Sequence, residues 1–319
     1  KLSRKYGIKV IFFDGRGGPP ARGGGNTHQF YSALGSLVES HEIQITVQGQ
    51  TISSNFGTTD SCQYNLEQLI SSGVKNRSIA NKEVFSSNNR RTLDKLSSLS
   101  YNAYSSFKDH PKFVPYLEKM STIKYYAKTN IGSRPSKRSG NSSEFNFNSL
   151  RAIPFVGSWS QLKQNVPGFY GLGTALNHFF VNKKFKEVKQ LYKEVPFFRA
   201  LISNSMMSLT KSFFQLTSYM SNDSEFGEFW DLIFEEYKLT KKMLLKVSDF
   251  KELMQNEPAN KLSIQTRENI VLPLITIQQY ALQNIKHIEK NNSKKNKDVF
   301  ERMITRSLFG NINASRNSA

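Results

Sequence analysis

The chain has 319 residues, of which 38% are apolar, 12% aromatic and 22% charged, a balance that supports one large hydrophobic core or two ordinary ones and excludes general disorder. Its 44 Lys and Arg against 25 Asp and Glu leave a formal charge of +19, so the surface attracts anions. No run approaches the roughly 18 apolar residues of a membrane-spanning helix, the start KLSRKYGIKVIFFDG lacks a signal peptide's apolar stretch, and the lone Cys62 excludes an internal disulfide and a cysteine-rich zinc site. A reducing compartment and no membrane partner are expected.

Lys9 to Phe13, KVIFF, is a short apolar run of the kind that forms a fully buried strand, and it stops at Asp14 before a glycine-rich turn. A lone buried strand cannot form the edge of its own domain, so Lys1 is expected to lie at a cut through a larger sheet or barrel. Phe12 to Gly25, FFDGRGGPPARGGG, then sets Arg16 and Arg22 among six glycines. Glycine lets backbone N–H groups approach a ligand, and arginine offers a planar fork of donors that matches phosphate or carboxylate. The segment describes an anion cradle. It is not a P-loop, because no Gly-Lys-Ser/Thr follows, and its glycine spacing departs from the dinucleotide fingerprint. An RGG-like tract that touches RNA is the alternative.

Glu42 to Ser53 alternates Ile43, Ile45 and Val47 with polar residues and meets Gly49, which predicts a half-buried strand and a small hairpin. From about Ser61 the spacing becomes helical. Gly132 to Asn148, GSRPSKRSGNSSEFNFN, can bury little and is expected to be a mobile surface loop. It divides a front half, residues 1–150, from a helical back half, residues 151–319. Arg134 opens the basic cluster of that loop, and Arg151 begins an apolar run ending at Trp159, where a charge is costly to bury unless it meets an anion. One phosphate-bearing substrate held by Arg16, Arg22 and Arg151 would satisfy all three.

Ile202, Met206, Leu209, Phe213, Leu216 and Met220 step by fours and threes, as one continuous helix would. Leu274, Ile277, Ala281, Ile285 and Ile288 repeat the pattern, with Pro273 in a first turn. Lys290 to Lys297 reads as a solvated connector rather than a nucleic-acid block. His28, His41, His110, His178 and His287 show no metal spacing.

FFDGRGGPPARGGG, VQGQTISSNFG, GSRPSKR, LRAIPFVGSWSQ, GFYGLGTAL and NINASRN, in this order, strongly resemble the carboxyl-terminal third of phosphoenolpyruvate carboxylase, from about Gly7 to Ala319. The resemblance implies a mainly α chain with a few β-strands, the C-terminal fragment of an enlarged (β/α)8 TIM-like barrel with many extra helices, whose site lies at the carboxyl ends of the strands. It also implies a cytoplasmic homotetramer that joins bicarbonate to phosphoenolpyruvate with Mg2+ or Mn2+, releasing oxaloacetate and phosphate. By the same resemblance Arg16 and Arg151 hold phosphate, Arg22 stabilises carboxyphosphate, Arg134 closes over the site, and Asp14, Gly15, Gly17 and Gly18 form the substrate loop.

An inhibitory site for aspartate or malate is implied at Lys211, Arg267 and Asn317, with Arg22 shared between the two sites. Asp14 stands where the family has histidine, and the tail ends Asn317-Ser318-Ala319 where the family closes Asn-Thr-Gly. The metal ligands, catalytic histidine and lysine-bearing strand of the family would precede Lys1, so the fragment alone is expected to be inactive and to hold no metal. A basic RNA-binding module and a purely regulatory aspartate-binding domain are the competing readings.

Overall fold

A computed structural model describes residues 5–8, 27–34, 50–79, 86–126, 152–291 and 296–315. Among them every regular element is helical: α1 (Thr27–Ser32), α2 (Gln50–Phe56), α3 (Thr59–Ile79), α4 (Ser87–Lys108), α5 (Phe113–Met120), α6 (Ile123–Tyr126), α7 (Ala152–Gln161), α8 (Leu172–Val181), α9 (Phe185–Glu194), α10 (Pro196–Thr210), α11 (Gly227–Ser248), α12 (Pro258–Lys290) and α13 (Lys297–Ser315). Short 3-10 turns lie at Val166–Gly168 and Phe214–Asn222.

Local chemistry sets several of the helix starts. Ser86 caps α4 by accepting the Asn89 N–H at 3.1 Å, and Pro196 and Pro258 stand in the first turns of α10 and α12, where a missing N–H costs nothing. The start of α8 is capped from another helix. Buried Glu236 of α11 accepts the backbone N–H groups of Gly171 and Thr174 at 3.0 and 3.1 Å and the Thr174 hydroxyl at 2.6 Å. Burial nonetheless raises its pKa above the usual carboxylate value, with those hydrogen bonds acting in the opposite direction. Helices α8 and α11 approach so closely that a Cβ on Gly173 would collide with the backbone and hydroxyl of Thr240.

Residues from α4 through α12 enclose one large core. Its centre is aromatic: Phe107 stacks on Tyr170 at 4.0 Å and on Phe229 at 5.2 Å and meets Phe113 edge-on, with Trp159 fully buried beside them. Beside this core α12 and α13 pair antiparallel, as the contacts Glu289–Lys297, Tyr280–Phe300 and Leu274–Gly310 show. Two smaller clusters fasten Tyr125 and Tyr126 of α6 to this pair, through Ala281, Leu282, Ile285 and Ile304 and through Leu308 and Ile312.

The mainly helical character is observed, whereas no barrel and no strand occurs among the described residues. KVIFF at 9–13, residues 42–49 of the hairpin, and the 132–148 loop lie outside the described residues. Gln50 to Ser53, expected as strand, belong instead to helix α2. No ladder partner for them exists among the described residues, while α3 offers a packing face and its Asn65 side chain donates to the Asn55 carbonyl at 3.1 Å.

The 202–220 stripe is also corrected: α10 stops at Thr210, and Phe213, expected in the core, is 37% exposed. Tertiary bonds replace the helical ladder at this point. The Phe213 N–H donates to the Lys163 carbonyl at 2.7 Å and the Ser212 hydroxyl to that of Gln164 at 3.2 Å. In the last long helix Pro273 is internal rather than in a first turn, and Ile277 faces solvent. Pro273 and Asn269 are both exposed, so water can satisfy the carbonyl that proline leaves without a donor. Ala281 and Ile285 are buried as expected, and the rest of the buried face is Ile264, Val271, Ile275, Gln278, Gln279 and Leu282. Gln278 bonds Gln161 at 2.9 Å and Gln279 accepts from Tyr219 at 2.9 Å, which makes two glutamines core residues.

Candidate functional site

Two helix carboxyl ends meet where α7 and α10 stop. Past Gln161 the chain enters the left-handed region at Lys163 and Asn165, with φ of 55° and 46°, and the N–H groups of Gln164 and Asn165 both return to the Trp159 carbonyl. This turn aims the Lys163 side chain inward. Across from it Lys211 caps α10, its N–H bonded to the Met207 carbonyl at 3.0 Å. Asn165 donates to the Ser212 hydroxyl at 3.3 Å, tying the two ends together. Both lysines stand where helix dipoles favour a cation.

Helix α12 supplies the opposite wall with Ile264, Arg267, Glu268 and Val271, spaced three, four and seven along one face. Tyr126 of α6 packs so tightly on Gly157 of α7 that a Cβ there would strike its hydroxyl, and Asn311 and Ser315 of α13 close one side. These groups line a cleft of about 520 Å³, part of it open to solvent. Among the described residues its charged groups are Lys163, Lys211, Arg267 and Glu268.

The four are not equivalent. Lys163 holds both carboxylate oxygens of Glu268, at 2.6 and 2.7 Å, with side-chain exposures of 5% and 22%. Burial lowers the Lys163 pKa, and Glu268 opposes that shift. Lys211 has no ion-pair partner among the described residues. Its pKa is pushed down to about 8, first by loss of hydration and then by the positive charges of Arg267 and Lys163, with Glu268 offsetting part of the effect. An ammonium under such stress is stabilised by any anion that enters.

Lys211 and Arg267, expected at one site, do line one cleft. Asp14, Gly15, Arg16, Gly17, Gly18, Arg22, Arg134, Arg151 and Asn317 lie outside the described residues. Lys163 and Glu268 were not anticipated. A signal for Lys163 existed, since it is the only Lys, Arg, Asp or Glu between Arg151 and Lys183. Glu268 gives no such signal.

The cleft does not fit a divalent cation. A hard cation takes several oxygen ligands, whereas the one carboxylate here is already bound to an ammonium and the neighbouring charges are positive. Among the described residues no group of three or more His, Cys, Asp or Glu could hold a metal, and no helix is long and apolar enough to cross a membrane.

The sequence matches the family described as phosphoenolpyruvate carboxylase over residues 1–317. The chain belongs to the phosphoenolpyruvate carboxylase family. A phosphoenolpyruvate carboxylase of Trichormus variabilis is 29% identical over 304 residues, which are 92% of this chain and 30% of that protein. The chain thus spans less than a third of the length of that relative.

Proposed function

We propose that this chain is the carboxyl-terminal region of an enzyme that forms oxaloacetate and phosphate from phosphoenolpyruvate and bicarbonate, and that the cleft between α7, α10 and α12 is its dicarboxylate effector site. Family membership supports the reaction. The observation that carries the effector assignment is that Lys211 and Arg267, on separate helices, line one cleft in which Lys211 is short of hydration.

In the reaction, bicarbonate oxygen attacks the phosphoryl group, the enol ester P–O bond breaks, and carboxyphosphate and the enolate of pyruvate form. Carboxyphosphate yields carbon dioxide and phosphate, and the enolate carbon then attacks carbon dioxide. The phosphorylated species and the enolate are all anionic, and guanidinium groups suit them because they stabilise negative charge and supply no labile proton to quench the enolate. Arg16 and Arg151 hold the phosphoryl oxygens, Arg22 stabilises carboxyphosphate, and Arg134 on the 132–148 segment helps exclude water. No step is assigned to a divalent metal, because the described residues offer no oxygen donor set for one.

Aspartate or malate in the cleft presents its carboxylates to Lys211 and Arg267, with Asn317 and Arg22 completing the grip. Recruitment of Arg22 to the effector removes it from carboxyphosphate, which links occupancy to inhibition. The test is oxaloacetate formation by the intact protein with and without L-aspartate. Arg22→Ala is expected to lose turnover at least about a hundredfold, and Lys211→Met to lose inhibition. Ready turnover by the first variant contradicts the reaction scheme, and wild-type inhibition in the second contradicts the effector site.

A further inference from the structure

Glu268 is the one acidic side chain in the cleft among the described residues, and it is committed to Lys163 through both oxygens at 2.6 and 2.7 Å. Its position follows from the helix. Arg267 and Glu268 are consecutive on α12, and both belong to the wall built with Ile264 and Val271, so a cation and an anion enter the same cleft side by side. On the opposite side the Lys163 backbone is held in the left-handed region and by the Phe213 N–H on its carbonyl, and its side chain is 5% exposed. The ion pair is therefore a fixed part of the lining and not a surface contact in exchange with water.

We propose that Glu268 is a built-in counter-anion that sets the charge of the ligand accepted by the cleft: it cancels Lys163 and makes the site selective for a dianion over a trianion. This inference rests on the effector reading above. Without the Glu268 carboxylate, Lys163 becomes an uncompensated cation in the cleft that Lys211 also lines, and one more ligand carboxylate can be accommodated. With it, a third ligand carboxylate meets a fixed negative charge in a poorly hydrated space, where Coulomb repulsion is screened far less than in water. Selectivity then depends on a difference of one charge and not on what else contacts Arg267.

The test is calorimetric titration of the intact protein with L-malate, a dianion at pH 7.5, and citrate, which is malate extended by one carboxymethyl group. The wild-type protein is expected to prefer malate. Glu268→Gln keeps the shape and removes the charge, and is expected to shift the preference toward citrate by roughly tenfold or more. Lys163→Gln changes the charge in the other direction and is expected to weaken citrate further against malate, so it reads the same effect should the first variant fail to fold. Lys163→Gln combined with Glu268→Gln restores the charge balance and is expected to restore the wild-type preference. An unchanged malate-to-citrate ratio in either single variant, with malate still bound by the wild type, overturns the role of Glu268 alone. Absence of malate binding to the wild type overturns the effector reading and this inference with it.

Discussion

Lys163 and Lys211 follow the same local rule and end in opposite states. Each stands at the carboxyl end of a helix, α7 or α10, and each has its pKa lowered by loss of hydration. Lys163 has a bidentate carboxylate partner supplied by α12, while Lys211 has no ion-pair partner among the described residues and faces Arg267 and Lys163 as like charges. A buried cation with a partner holds the fold together, whereas a half-buried one without a partner costs stability until a ligand arrives. The cleft contains one of each.

The largest expected effect is on stability. Lys163→Met leaves Glu268 facing the cleft without its ammonium and is expected to destabilise the protein by ~3 kcal/mol in chemical denaturation, whereas Lys211→Met removes a disfavoured charge and is expected to leave stability unchanged or to raise it. Equal losses in the two variants would break the comparison. Ligand binding is expected to reverse the order of harm. Lys211→Met removes a charge-assisted hydrogen bond to the incoming carboxylate and should weaken L-aspartate binding by roughly tenfold or more in calorimetry.

The pH dependence sharpens the contrast. A dicarboxylate favours the charged form of Lys211, so affinity should fall as pH rises through about 8, and binding near that pH should take up protons, read as a dependence of the binding enthalpy on buffer ionisation heat. Stability without ligand should change in the opposite sense. Because the folded-state pKa is depressed, the unfolded chain binds more protons between about 8 and the ordinary lysine value of 10.5, and stability relative to Lys211→Met should rise with pH across that window. The smallest effect is expected at Lys297, whose exposed pair with Glu289 at 2.7 Å joins the α12–α13 connection. Lys297→Ala should cost less than ~0.5 kcal/mol, and a larger loss would show that this connection is more than a solvated turn.

That Lys211 and Arg267 line one cleft was legible in the sequence because short motifs around them resemble a known family, not because a lysine after MSLT or an arginine in SIQTREN stands out by itself. The Lys163–Glu268 pair was not legible, since no periodicity relates a turn after Trp159 to a position on a distant helix. The helix break after Thr210 was hidden by an apolar pattern that continues unbroken through Phe213 and Leu216; only the Lys163 and Gln164 carbonyls, brought there by tertiary packing, end it. Gln278 and Gln279 look like surface residues until Gln161 and Tyr219 supply their partners. The helical character of residues 152–291 was read correctly from spacing, because packing there obeys the same threes and fours, while the register on α12 shifted with the two buried glutamines.

The central claim is that the cleft at Lys211 and Arg267 receives a small dicarboxylate. Titration of L-aspartate into the intact wild-type protein and into Lys211→Met at pH 7.5, followed by calorimetry, tests it most directly. Saturable binding to the wild type with at least about tenfold loss in the variant is the predicted result; binding of equal strength in both, or none in the wild type, contradicts it.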